Sequence, residues 1–329
     1  MKTTRSLLLL LTALAAGLLF SQTRSPAPAP ANREVTAQQY ERWKTELSNW
    51  GRWGKGDEIG ALNLITPAKR KQAAGLVKEG FSVSLAADAD TVRAVDNPNP
   101  YEFKMLAIGS DQIGVSYHGI AHTHLDSLAH INDKGVFFNG YQPDQEAVLK
   151  QGHAKNSIHN VKNGIFTRGV LIDVPRLKGV PYLEPGTQIY VEDLEAWEKQ
   201  AGVKVQAGDA LFVRTGVWAR RKALGPWLRG RAEGGMSAGL DPSVIPWLKQ
   251  RDIAILASDH PQYVSPAPLR GAVHDFALLY LGVHLFDNCD LEALADAAAS
   301  RRRWEFLLTA APLPIVGGTG SPINPIATF

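Results

Sequence analysis

The sequence predicts a mixed α/β domain, and three observations carry that reading. Short apolar runs that read as buried strands recur along the chain. Helical stretches with good caps or helical spacing fall between them. The composition, 45% hydrophobic and 20% charged over 329 residues, is that of a globular protein with a sizeable core. It excludes a disordered or fibrous chain. The net charge is +3, but Lys2, Arg5 and Arg24 lie in a stretch of 24 residues without an acid, so the remainder is neutral. Neither nucleic acid nor an anionic membrane surface is expected as a partner.

The elements follow in order. Lys2 and Arg5 precede the apolar run Leu7 to Phe20, broken only by Thr12 and followed by Ser21-Gln22-Thr23. This is the layout of a signal peptide, expected over residues 1–25, with a periplasmic or secreted product. The run is short of the roughly 20 residues that span a bilayer, so no stable membrane span is expected after processing. Cys289 is the only cysteine, which excludes both a lipoprotein and an intramolecular disulfide. Residues 26–35 are Pro/Ala-rich and read as a linker. A single catalytic domain is expected over 36–329.

Within it, Tyr40, Trp43, Leu47 and Trp50 fall at helical steps, predicting a helix over 36–50. Thr66-Pro67 is a hydroxyl cap followed by proline at the first helical position, and that helix is expected to reach Val77. Phe81 to Leu85 alternates as a strand. Gly169 to Val174, Ala210 to Arg214 and Ile253 to Ala257 read as buried strands. Val191 to Gln200, Pro242 to Gln250 and Asp290 to Ala299 read as helices.

The chemistry concentrates in one place. Of nine histidines, four fall between positions 118 and 130, in Tyr117-His118-Gly119-Ile120-Ala121-His122-Thr123-His124-Leu125-Asp126-Ser127-Leu128-Ala129-His130. In an extended chain alternate residues share a face, so His118, His122, His124 and Asp126 are expected together on one side of a strand. Imidazoles with a carboxylate grip Zn²⁺ or Mn²⁺ and leave positions open for water and substrate. His130, four residues beyond Asp126, is expected to return beside the metal as a proton carrier. A metal-storage loop is the bland alternative, but such tracts lack the interspersed Leu and Ala found here.

This segment resembles the cyclase-like, kynurenine formamidase-type metal-dependent hydrolases, whose hallmark is His-x-Gly-Thr-His-x-Asp-x-Pro-x-His. Thr123 to His130 matches its last eight positions, with Leu128 in place of the proline. The first histidine of the hallmark falls on Ile120, so His118 or His122 must substitute; the His118-Gly119 pair, similar to a branch with a longer approach, favours His118. Further likenesses follow in the same order along the chain: Trp53 to Pro67, Phe138-Asn139-Gly140, Arg168 to Asp173, Gly208 to Gly216, Ser258 to Pro261, and Pro312 to Pro322 ending in Gly-Ser-Pro.

The resemblance implies a swivelling β/β/α fold, assembled as a homo-oligomer (dimer or tetramer). It implies a ligand set of His118, His124, Asp126, His274 and Asp287, with His130 as the catalytic proton carrier and Zn²⁺ or Mn²⁺ as cofactor. The implied activity is hydrolysis of an amide C–N bond in a small-molecule substrate: an aryl formamide, a cyclic imide or a lactam-like ring. A lactonase, or a periplasmic binding protein without turnover, are the rivals. His260 and His284 are expected near the pocket, and Trp50, Trp53, Phe137 and Phe138 as its apolar wall. His153 and His159 are expected at the surface. Arg220, Arg221, Lys222, Arg229 and Arg231, interrupted by Trp227, read as a solvated loop. Gly317 to Gly320 lacks the Lys-Ser/Thr of a phosphate loop, and Cys289 has no nearby base for thiol chemistry.

Overall fold

The computed structural model describes residues 33–230, 233–269 and 271–329. The expected signal peptide and nearly all of the linker lie outside the described residues. Among those described, no helix is long and apolar enough to cross a membrane.

The strands are β1 (Ser82–Ser84), β2 (Glu102–Ala107), β3 (Ser110–Gly114), β4 (His124–Asp126), β5 (Ile165–Asp173), β6 (Gln188–Ile189) and β7 (Ala210–Arg214). They continue with β8 (Gly239–Leu240), β9 (Ile255–Ser258), β10 (His284–Asp287), β11 (Glu305–Ala310), β12 (Gly320–Pro322) and β13 (Ile326–Thr328). Nine of them form one mixed sheet in the order β1-β13-β11-β5-β7-β9-β10-β4-β12. Its centre, β5-β7-β9-β10, is parallel, and antiparallel strands flank it on both sides.

The parallel centre explains why those strands read as unbroken apolar runs: both faces are covered. Val170, Ile172, Leu211, Val213 and Leu256 face one core with the helices Val191–Ala201 and Ile245–Arg251. Leu171, Phe212, Ile255, Ala257 and Phe286 face the other, with Phe306, Leu308 and Leu294. The helix expected over 36–50 runs only over Ala37–Glu46, and the expected Thr66 cap starts the next one. The Thr36 hydroxyl accepts from Gln39 N and caps Ala37–Glu46, and the Thr66 hydroxyl accepts from Lys69 N and caps Pro67–Ala74. The latter helix stops at Gly75, short of Val77.

Elements made by long-range pairing were not foreseen. They include β10, β12 and β13. The hairpin β2–β3, a local pairing, was not foreseen either, and it exposes Phe103, Met105, Leu106, Ile108 and Ile113. The supposed solvated basic loop is also corrected. Its first half is the helix Val217–Leu224, Arg221 forks onto Asp96, and Arg229 is buried. The acids that fold it down lie about 130 positions away, where no local pattern shows them. Arg231 lies outside the described residues.

Candidate metal centre

Strand β4 carries His124 and Asp126 on one face and sends Leu125 to the opposite core. Its antiparallel partner β10 sets Asp287 directly opposite His124, which places both side chains on the same face. His274 arrives from the helix Ala272–Phe276, whose continuation through the π-helical turn Ala277–Leu281 and Gly282 leads into β10. His118 comes from an irregular segment before β4, not from a strand. The expected four-residue face is therefore half right: the strand begins only at His124, because 118–122 is bent rather than extended.

His122 points away from the site. Its Nε2–H donates to Asn99 O at 2.8 Å and its ring packs edge-on against Tyr101. The structure thus brings His118 to the cluster and leaves His122 out.

The distances are those of atoms aimed at a common point. His118 Nδ1 lies 2.9 Å and His124 Nε2 3.3 Å from Asp126 Oδ1. His274 Nε2 lies 3.3 Å from both Asp126 Oδ2 and Asp287 Oδ2. His130 Nε2 is 3.7 Å from Asp126 Oδ2, and its ring stacks on His118 at 4.0 Å. Yet both Asp126 oxygens, His118 Nδ1 and Asp287 Oδ1 are buried without a hydrogen-bond partner among the described residues. Close approach without hydrogen-bond geometry is the pattern of ligands around a cation: bonds of about 2.0–2.2 Å to N and O donors put neighbouring donors about 2.8–3.6 Å apart. Two groups have the proximity a metal needs, His118 with Asp126 and His130, and His124 with Asp126 and Asp287.

Outer partners fix His124 and His274 in a ligating tautomer. The Nδ1–H of His124 donates to the His122 carbonyl at 2.8 Å, freeing Nε2. The Nδ1–H of His274 donates to Asp275 at 3.1 Å, again freeing Nε2. His118 is held from the other side, its Nε2 meeting the Thr319 hydroxyl at 2.9 Å. Electrostatics agree with the geometry. Burial alone would lower the pKa of His274, but the carboxylates of Asp126, Asp275 and Asp287 outweigh it and hold it well above its usual value. Burial would raise Asp126, and the surrounding imidazoles reverse that, holding it well below. His130, half-buried, is pushed down to about 4 by desolvation, with Asp126 raising it and the imidazoles of His118, His274 and His124 lowering it further.

Beside these groups opens a cavity of about 420 Å³ walled by Ile120, Ile131, Pro261 and Tyr263. The expected aromatic wall is elsewhere. Trp50 stacks on Tyr280, Phe138 is packed in the core, and Phe137 lines a separate pocket with His153. His153 is buried, against expectation, because Phe137 and Tyr141 close over it. His260 bonds its own loop at Tyr263 O, and neither it nor His284 lines the cavity.

Three positioning residues escaped the sequence reading. Asn288, in the left-handed region, donates to the carbonyls of Gly119 and His122 and so braces the segment carrying His118 and His124. Thr319 holds His118 from within the glycine-rich stretch that reads only as a failed phosphate loop. Asp259 accepts from Thr215, Gly216 and Val217 at the start of the helix Val217–Leu224. The motif likenesses around Asp259 and Thr319 were the available signal; Asn288 had only its place next to Asp287.

Fold and site together define a mixed α/β domain that gathers histidines and carboxylates from β4, β10 and a neighbouring helix beside an open cavity. The chain belongs to the cyclase family: the family model described as "Putative cyclase" matches residues 58–263. A crystal structure described as a novel cyclase matches at TM-score 0.76 and 32% identity, covering 86% of this chain and 99% of that one. Isatin hydrolase A from Ralstonia solanacearum (TM-score 0.53, 18% identity, 78% of this chain and 93% of that) shares the fold. So does isatin hydrolase A from Labrenzia aggregata, bound to benzyl benzoate (0.55, 19%, 78% and 94%). A search of curated proteins gives no significant match.

Proposed function

We propose that the protein is a metal-dependent hydrolase that cleaves the amide C–N bond of an aryl formamide, a cyclic imide or a lactam-like ring. The observation that carries this is the convergence of buried, unpartnered donor atoms from His118, Asp126 and Asp287 with the freed Nε2 atoms of His124 and His274. These five residues would hold Zn²⁺ or Mn²⁺. When bound, such a cation polarises a carbonyl and acidifies water.

The remaining steps belong to the chain. The apolar wall of Ile120, Ile131 and Pro261 excludes bulk water and seats the ring of the substrate. His130, in the same cavity and stacked on His118, accepts a proton from the attacking water and passes it to the departing nitrogen. That the chain shares its fold with isatin hydrolases supports a cyclic amide as substrate. A binding protein without turnover is disfavoured, because His118 supplies at the cluster the imidazole that Ile120 lacks at the hallmark position.

The test is elemental analysis of purified protein, then a panel of formanilides, cyclic imides, isatin and lactones. Turnover of the nitrogen compounds supports the reading. Turnover of lactones alone assigns a lactonase, and a metal-loaded protein inert on all of them refutes hydrolysis. We also propose that the exported mature chain forms a homo-oligomer through the apolar hairpin β2–β3, since an isolated two-stranded hairpin is marginal in water. Sedimentation of wild type and an Ile108→Lys, Ile113→Lys variant as equal monomers refutes that.

A further inference from the structure

A second cavity of about 300 Å³ adjoins the first, and the two share His118, Gly119 and Ile120 in their walls. Its wall includes Arg229, only 1% exposed, together with Asn99 and Ser116. The guanidinium lies between the rings of Trp218 and Trp227, at 5.5 and 5.3 Å. Nη2 reaches Asp96 at a long 3.5 Å, while Nε and Nη1 have no partner among the described residues. The carboxylates nearby are committed elsewhere. Asp96 is forked by Arg221 at 2.8 and 3.3 Å, and Asp90 is also paired with Arg221. A buried charged donor left without an acceptor costs more than an ordinary missing hydrogen bond, so the fold retains Arg229 at a net expense unless something completes it.

We propose that Arg229 is an anion subsite that binds a carboxylate borne by the substrate, away from the scissile bond and across the Gly119-Ile120 wall from the metal cluster. The inference rests on the hydrolase reading for the word substrate, but the subsite itself does not depend on turnover. The charge balance selects a carboxylate over a phosphate. Arg221 and Arg229 face Asp90 and Asp96, and Asp259 also acts on Arg229, so the surroundings already compensate the two guanidinium charges and a monoanion is tolerated far better than a dianion. A planar anion also matches a planar guanidinium flanked by aromatic faces.

The experiment titrates chelator-treated wild-type protein with benzoate and with benzamide by calorimetry, and repeats both titrations with Arg229→Met and Arg229→Lys. Wild type is expected to bind benzoate at least tenfold more tightly than benzamide. Arg229→Met should lose that preference at unchanged metal-binding stoichiometry, and Arg229→Lys should keep part of it. Equal binding of the two probes by wild type overturns the proposal, whether or not the variants fold. So does benzoate binding that appears only in metal-loaded protein and is unaffected by Arg229→Met, which places the anion on the metal. The second arm compares ring carboxylate and ring carboxamide versions of any amide in the panel that is turned over. The ratio of their kcat/KM values should fall at least tenfold in Arg229→Met, and an unchanged ratio overturns the substrate assignment. Benzoate binding that depends on Arg229 in a protein inert on the whole panel would sink the hydrolase reading and leave the subsite standing.

Discussion

Asp126→Asn is the sharpest probe of the metal centre, because Asp126 is the one residue that every proposed imidazole approaches. Its side chain is fully buried, its two oxygens have no hydrogen-bond partner, and His118, His124, His274 and His130 surround it at 2.9 to 3.7 Å. Asparagine keeps the shape and removes the charge. The fold should survive, since no hydrogen bond to those oxygens is lost. Metal affinity should not survive. Outer partners of ligands are worth about 10- to 100-fold in affinity, so a central ligand is worth at least about 100-fold. With metal at 100 times its Kd, binding stabilises wild type by about 2.7 kcal/mol. At about 2–4 °C per kcal/mol for a domain of this size, the melting temperature should rise by about 5–11 °C. A 100-fold weaker site at the same metal concentration gains only about 0.4 kcal/mol, a shift of about 1 °C. The assay is calorimetric melting of chelated and metal-loaded protein, paired with elemental analysis. If Asp126→Asn shows the wild-type shift at full occupancy, Asp126 is not a ligand and the centre is misassigned.

Three further substitutions separate the roles around it. His130→Ala should keep its metal and lose about 10²- to 10⁴-fold in turnover, on kcat rather than KM; loss of metal instead would make His130 a ligand. Asn288→Ala removes both donors that brace Gly119 and His122, so metal affinity should fall about 10- to 100-fold in a folded protein, and unchanged affinity would deny the brace. Gly320→Ala would put a Cβ 2.5 Å from Leu125 O and 3.1 Å from His118 Cε1. It should destabilise the protein by about 1–3 kcal/mol in urea melts, and an unmoved midpoint would show that β12 yields freely.

What was legible in the chain is what local physics decides. Thr66 announces a helix because a hydroxyl cap acts within three residues, and Tyr40 and Trp43 announce one by their helical spacing. The central strands are legible because burial on both faces leaves no polar alternation, and His124 and Asp126 because a two-residue step on a strand fixes a common face. The misreadings at the site involve distant partners. His122 shares the spacing of His124 but is turned aside by Asn99, a carbonyl in another loop. Arg229 sits in a run of basic residues that looks solvated until Asp96 and two tryptophans close around it. His274 and Asp287 carry no local mark of ligation; only the resemblance proposed them, and the β4–β10 pairing with the helix before β10 is what brings them in.

That dependence on distant pairing has a measurable consequence. The proposed ligands come from residues 118–126, 274 and 287, and Thr319 holds His118 from β12's approach, so a bound cation would tie together segments some 150 to 200 positions apart. The segments differ in what else holds them. Strand β9 lies between β7 and β10 in the parallel centre and is secured by its ladders on both sides. Residues 118–122 belong to no strand and are tied down by side-chain bonds with Asn288, Asn99, Thr319 and His124 rather than by a ladder. Local opening follows local contact density, so removing the cation should loosen the second segment and spare the first. In hydrogen exchange, chelation should therefore speed exchange of the backbone amides of 118–122 at least tenfold while those of Ile255–Ser258 keep their protection. Uniform loss across both segments would mean that the metal supports global stability only. No change in either would mean that His118 is positioned by protein contacts alone, and that its place beside Asp126 is not evidence of ligation.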